Sequence, residues 1–191
     1  YQRNNLFKYF AENRLWDPSL IEPWDARITP NAVFIARSRK EFIKNFLPVF
    51  INVYNEICGG EEEVSLEYIS NVPSNEDEFM ELLKTSQVDD RRLRRMTCGV
   101  HKDDLAFKIG DYPLRKFGSQ GQQKTFLVAL KLAQLVFLEK ATGVKPILLL
   151  DDIFDKIDDK RVRALMSSVT DGTFGQIFIT DTHLGRIPDM F

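Results

Sequence analysis

Apolar residues recur at threes, fours and sevens along the first part of the chain, and at twos or in unbroken runs further on. Leu6, Phe7, Phe10, Ala11 and Leu15 predict an amphipathic helix over 1–15. Pro18 pushes Asp17 out of the helical region, so Asp17 or Ser19 can cap the next helical stretch. From Ser19 to Glu56 the pattern is helical again, through Ile21, Trp24, Ile28, Ile35, Phe42, Phe46, Phe50 and Val53. Pro23 suits a first helical turn, whereas Pro30 and Pro48 are expected to kink or divide the run. Cys58-Gly59-Gly60 supplies its C-terminal glycine.

Val64–Ile69 alternates apolar and polar, which predicts a half-buried strand. After a turn at Asn71–Asn75, Ser74 or Asn75 caps a helix that opens on Glu76, Asp77 and Glu78 and runs towards Arg91, Arg92, Arg94 and Arg95. Met96–Val100 and Leu105–Ile109 read as short strands flanking His101-Lys102-Asp103-Asp104. From Gln120 to Ala141 nearly every position outside a stripe at Lys124, Lys131 and Gln134 is apolar, which predicts a helix buried on most sides. Ile147–Leu150 and Gln176–Thr180 read as buried strands on either side of a helix that begins at Asp158. Helix, strand, helix and strand with short connections is the α/β crossover pattern. Three segments result: a helical arm over 1–57, a connecting α+β segment over 58–116, and an α/β portion over 117–191.

Composition narrows the field. In 191 residues, 43% hydrophobic with 15 Phe, there is ample material for a packed core. A net charge of −2 carries no overall signal for nucleic acid, so any DNA contact must be a local patch. Arg37, Arg39, Lys40 and Lys44 form one basic cluster and the run from Arg91 another; each also fits a solvated face or a helix C-terminus. Cys58 and Cys98 have no C-x-x-C pairing, which favours free thiols in a reducing, cytoplasmic setting. One imidazole beside Asp103 and Asp104 fits a turn better than a metal site. No apolar run reaches the roughly 18 residues of a membrane span. The polar opening at Tyr1 is unlike a signal peptide, and the missing Met suggests an internal piece of something longer.

The chemistry concentrates in two stretches. Gly118-Ser119-Gln120-Gly121-Gln122 stands before a helix, where glycines, a serine hydroxyl and the positive helix end can meet a phosphate. Asp151 and Asp152 come directly after a buried strand, where open α/β sheets bind ligands. Asp151 fits a Walker B acid holding Mg²⁺, and Asp152 a carboxylate that polarises the attacking water. The same features also occur as a plain helix cap and a plain segment cap.

In combination these residues resemble a known family. Phe117–Thr125 with Ala129–Ala133 is similar to the signature helix of the RecF family of SMC-like, ABC-type ATPases. Gly99–Asp104 is similar to that family's G-P-H-R-D-D turn, with Val100 and Lys102 departing from it. Leu148–Asp152, with Asp155–Asp158 beyond it, is similar to its Walker B and D-loop. The resemblance implies the C-terminal half of an ABC/SMC-like ATPase head, with signature helix, Walker B strand and a helical arm segment. No G-x-x-x-x-G-K-S/T occurs, so the P-loop lobe is expected to be missing.

The resemblance also implies roles for single residues. Gly118, Ser119, Gln120, Gly121 and Gln122 would meet ATP across a dimer seam, Asp158 would run along that seam, His183 would sense the γ-phosphate, Asp151 would bind Mg²⁺, and Asp152 would be catalytic. His183 lies two residues beyond the usual switch position. ATP and Mg²⁺ would both require the missing lobe, so this chain alone is not expected to hydrolyse ATP. Implied partners are double-stranded DNA, single-/double-strand junctions, a second copy, and RecR, with RecO in the pathway. The implied work is recombinational repair, replication restart and the SOS response. A same-fold rival is another SMC-like ATPase of the Rad50 or OLD-nuclease type, for which no zinc hook, long coiled coil or nuclease acid cluster is visible. The alternative of a different class is a non-catalytic DNA- or protein-interaction module derived from another SMC-like ATPase, which a P-loop in the parent gene would count against.

Overall fold

The computed structural model describes residues 2–151, 157–170 and 172–180. It contains seven α-helices, α1 (Gln2–Asn13), α2 (Glu22–Cys58), α3 (Glu76–Thr85), α4 (Gln87–Leu93), α5 (Leu114–Phe117), α6 (Gln120–Thr142) and α7 (Asp159–Thr170), among the described residues. The strands are β1 (Val64–Ile69), β2 (Asp104–Ile109), β3 (Tyr112–Pro113), β4 (Leu148–Asp151) and β5 (Ile177–Thr180). They form a three-stranded sheet in the order β1-β2-β3 and a parallel β4-β5 pair. The chain divides into two compact units, Tyr1–Ile43 with Glu67–Ala106, and Lys44–Leu66 with Phe107–Phe191.

In the first unit Phe7, Phe10 and Ile21 are buried together with Trp16 packed against them. A second cluster gathers Ala32, Phe79, Leu83 and Cys98. Asn75 caps α3 by accepting from the Glu78 N–H at 2.8 Å, as its sequence position suggests. The expected single helix towards the arginines is two, α3 and α4, separated by Ser86 alone, which keeps a helical backbone while its hydroxyl donates to the Leu83 carbonyl at 3.0 Å. Arg3, Asp25 and Asp90 are all buried, and Arg3 donates to both carboxylates. Burial pushes the Asp25 carboxyl up despite the opposing pull of Arg3.

Met96–Val100 is not a strand. Its backbone donors go to side chains instead: Met96 N–H to Asn4 at 2.9 Å, Thr97 N–H to Asp90 at 2.6 Å, and Gly99 N–H to Asn71 at 2.9 Å. Gly99, at φ 119°, then turns the chain into a 3-10 turn over Val100–Lys102. Asp103 is the anchor of that turn, accepting from Arg39 at 2.6 Å, from Ser70 at 2.6 Å and from Tyr68.

The prolines do not divide α2, which runs unbroken for 37 residues. Near Pro30 the Thr29 hydroxyl donates to the Asp25 carbonyl at 2.8 Å and the Asn31 amide to Arg27 at 2.9 Å, reinforcing the turn that loses a bond. Around Pro48, in the second unit, packing holds the helix. Phe46 meets Phe137 at 5.8 Å and Phe50 meets Phe126 at 4.7 Å between ring centroids. An internal proline costs about 3 kcal/mol. Burying two phenylalanine side chains contributes about 1.5–3 kcal/mol each, enough to offset it.

The second unit also corrects two burial expectations. Helix α6 buries Thr125, Phe126, Ala129, Leu132 and Ala133, yet Leu127 and Leu138 are exposed, so it is covered on one side. Strand β4 is buried on one face through Leu148 and Leu150, while Leu149 is 70% exposed. On β5, Phe178 is exposed too, and it is the register partner of Leu149. Among the described residues each of these strands has one neighbour. A single pair cannot close both faces and both edges as a wider parallel sheet does.

Candidate nucleotide site

The loop between α5 and α6 is built for a glycine. Gly118 closes on Leu114 with its N–H at 2.9 Å from the Leu114 carbonyl. A Cβ there would sit 2.8 Å from that same carbonyl oxygen, so any other side chain forces the backbone apart. Ser119 then starts α6 with a reciprocal capping box. Its hydroxyl accepts from the Gln122 N–H at 3.1 Å, and its own N–H donates to the Gln122 side chain at 2.8 Å. The N–H groups of Gln120 and Gly121 have no carbonyl within the helix to bond, and they sit at the positive end of a 23-residue helix. The donor set fits a phosphate.

Gln122 also reaches outward. Its amide donates to Glu62 at 2.8 Å, and Glu62 accepts as well from Arg161 at 2.8 Å and from Tyr54. Burial pushes the Glu62 carboxyl up, but donation from Tyr54, Gln122 and Arg161 outweighs it and holds Glu62 below the ordinary range. Burial also pushes the Tyr54 hydroxyl far up, so it stays a donor. Arg161 grips Asp158 through its Nε at 3.2 Å, and Asp158 accepts the Arg161 N–H at 3.0 Å. A further Arg161 donor lies 3.4 Å from the Thr125 hydroxyl on α6. Ser119, Gln122 and Asp158 therefore belong to one bonded group, joined by Glu62 and Arg161.

Asp151 belongs to a second group. It ends β4, opposite Thr180 in the parallel register, and the Thr180 hydroxyl donates to its Oδ1. The remaining carboxylate oxygen and the exposed position suit a hydrated Mg²⁺, which takes one or two carboxylates and keeps several waters. Asp152 and His183 lie outside the described residues. Glu62, Arg161 and Thr180 carry no motif in the sequence; their only trace is the Glu61-Glu62-Glu63 run before β1 and a base three residues after Asp158. Among the described residues no cluster of three or more His, Cys, Asp or Glu could hold a metal, and no helix is long and apolar enough to cross a membrane.

Mixed helix and sheet, a helical arm segment, a capped signature-like helix and a strand ending in an acid define half of an ABC/SMC-like ATPase head. No protein-family model matches the chain. It is 48% identical over 185 residues to the DNA replication and repair protein RecF of Flavobacterium johnsoniae, covering 97% of this chain and 51% of that protein. With RecF of Parabacteroides distasonis it shares 44% over 95% of this chain, and with RecF of Cytophaga hutchinsonii 43% over 97%. A solved structure of the recombination mediator protein RecF-ATP in the RecFOR pathway overlays with a TM-score of 0.79 at 25% identity, covering 96% of this chain and 50% of that one. A companion RecF-ATPrS structure gives 0.77 at 26%. The chain belongs to the RecF family, as the equivalent of its C-terminal half. It spans about half the length of the curated relatives it matches.

Proposed function

We propose that this chain supplies the signature and Walker B portion of an ATP-dependent DNA-binding protein of replication and recombinational repair. Gly118, Ser119, Gln120, Gly121 and Gln122 meet the nucleotide held by a second copy, so ATP closes a homodimer. Asp158 runs along the same seam. Asp151 holds Mg²⁺ and Asp152 polarises the attacking water; His183 senses the terminal phosphate. The metal, when bound, neutralises charge on the phosphates; the chain's own residues orient them and position the water. The lobe that grips ATP through a P-loop lies in the remainder of the full-length protein. Duplex DNA, strand junctions and RecR are the partners of the assembled dimer, with RecO in the same pathway.

The observation that carries this reading is the Ser119–Gln122 capping box, locked through Glu62 and Arg161 to Asp158. A plain cap needs no such link to the acid of a separate segment. The test is sedimentation of the full-length protein with ATP and Mg²⁺, beside calorimetry of the 191-residue chain alone. ATP-dependent dimers of the former and no micromolar ATP binding by the latter are expected. A full-length protein that stays monomeric with ATP bound defeats the proposal.

A further inference from the structure

Helices α1 and α4 end in the same way. Leu15 N–H closes on the Phe10 carbonyl at 3.0 Å, and Arg95 N–H closes on the Asp90 carbonyl at 3.1 Å. Both are the six-to-one bond of a Schellman motif, which needs a left-handed residue one step earlier, normally glycine. Here those residues are Arg14 and Arg94, each at φ 53°, the two non-glycine residues with positive φ among those described. An L side chain is disfavoured in this conformation, so arginine at both helix ends is the costlier choice.

Both arginines line one cavity of about 500 Å³, together with Arg91, Arg92, Phe10 and Val88. The Arg91 guanidinium is held 4.9 Å from the Trp16 ring centroid. Arg92 pairs at 2.8 Å with Asp89, both largely exposed, so solvent weakens that bond. No ion pair engages Arg14 or Arg94 among the described residues. Of the four arginines lining the cavity, one has a carboxylate ion-pair partner among the described residues. A helix C-terminus explains a basic residue on its own last turn. It does not explain why the ends of two helices bring arginines to one cavity at strained positions.

We infer that Arg14, Arg91, Arg92 and Arg94 form a phosphate-binding pocket that grips the backbone of duplex DNA. This rests on the DNA-binding function proposed above and assigns it a surface. Guanidinium forks suit phosphate oxygens bidentately, and such contacts fix position without reading sequence.

The test measures fluorescence anisotropy of a short labelled duplex with full-length protein and ATP, across about 50 to 200 mM salt. The variant is R14G/R94G, which removes two charges while placing the residue each Schellman turn prefers. Its melting temperature should equal or exceed the parent's. DNA affinity should fall at least about tenfold, and the slope of log affinity against log salt should become shallower by about two. R91Q/R92Q should act in the same direction. Unchanged affinity and slope in both variants overturn the pocket while leaving DNA binding intact. A parent protein that binds no duplex overturns the DNA-binding reading itself, and the pocket with it. Loss of binding to a polyglutamate peptide with DNA binding unchanged assigns the cavity to an acidic protein partner, which also overturns the inference.

Discussion

Glu62 and Arg161, 99 positions apart in sequence, meet at 2.8 Å and between them hold Gln122 on one side and Asp158 on the other. Both side chains are largely buried, at 16% and 19% exposure, so solvent screens the pair less than a surface ion pair. The pair acts as a brace between the start of α6 and the start of α7.

The brace sets a pH dependence. Glu62 sits below its ordinary value when folded, so the unfolded chain binds its proton more readily. Its contribution is therefore full above the unfolded pKa and lost as pH falls through the folded one. E62Q should be less stable than the parent at neutral pH, and should lose less on going from about pH 5 to about pH 3. Urea unfolding at both pH values checks this; parallel losses in the two proteins would rule out Glu62 as the source.

The buried Arg3 is tested by R3L. Without the guanidinium, Asp25 and Asp90 are left as uncompensated neighbours in the interior. The expected cost is about 3–5 kcal/mol at neutral pH by urea unfolding. Part of it should return on acidification, because Asp25 is already pushed up by burial and takes a proton more easily once Arg3 is gone. A loss under about 1 kcal/mol contradicts the assignment.

Ser119 separates a cap from a nucleotide contact. Replacing it with alanine should cost about 1 kcal/mol of helix stability. S119R in the full-length protein should also abolish ATP-driven dimers, through a bulky cation at the seam, while ATP binding by the monomer survives. Sedimentation with ATP and Mg²⁺ decides it, and a normal dimer leaves Ser119 as a cap alone.

Asp151 and Asp152 should fail differently. D152N keeps size but removes the charge proposed to polarise the water, so turnover of the full-length protein should drop roughly 10²-fold or more with ATP still bound. D151N should weaken Mg²⁺ binding and, through it, the dimer. Turnover and Mg²⁺ titration separate the two, and unchanged turnover in D152N withdraws its catalytic role.

Local signals were the legible ones. Asn75 before three acids marked the start of α3, and alternation marked Val64–Ile69, because both depend on residues adjacent in sequence. Met96–Val100 looked like a strand because its donors are claimed by Asn4, Asn71 and Asp90, two of them remote along the chain. Pro48 looked like a break because its offsetting partners, Phe126 and Phe137, lie on another helix. In the candidate site, the glycine, the serine cap and the acid that ends β4 announced themselves. Glu62, Arg161 and Thr180 did not, since one carboxylate becomes informative only when the fold shows which donors surround it.

Among the described residues, Leu149 and Phe178 lie side by side and exposed on a two-stranded parallel sheet. Strands with unmatched backbone groups and apolar faces offer a template for any chain that reaches them. Handled alone, this polypeptide should therefore be a poor candidate for concentration: cloudiness, slow growth of large particles and loss of monomer on storage would originate at β4 and β5. A lysine introduced at Leu149 would be the first remedy for keeping it in solution.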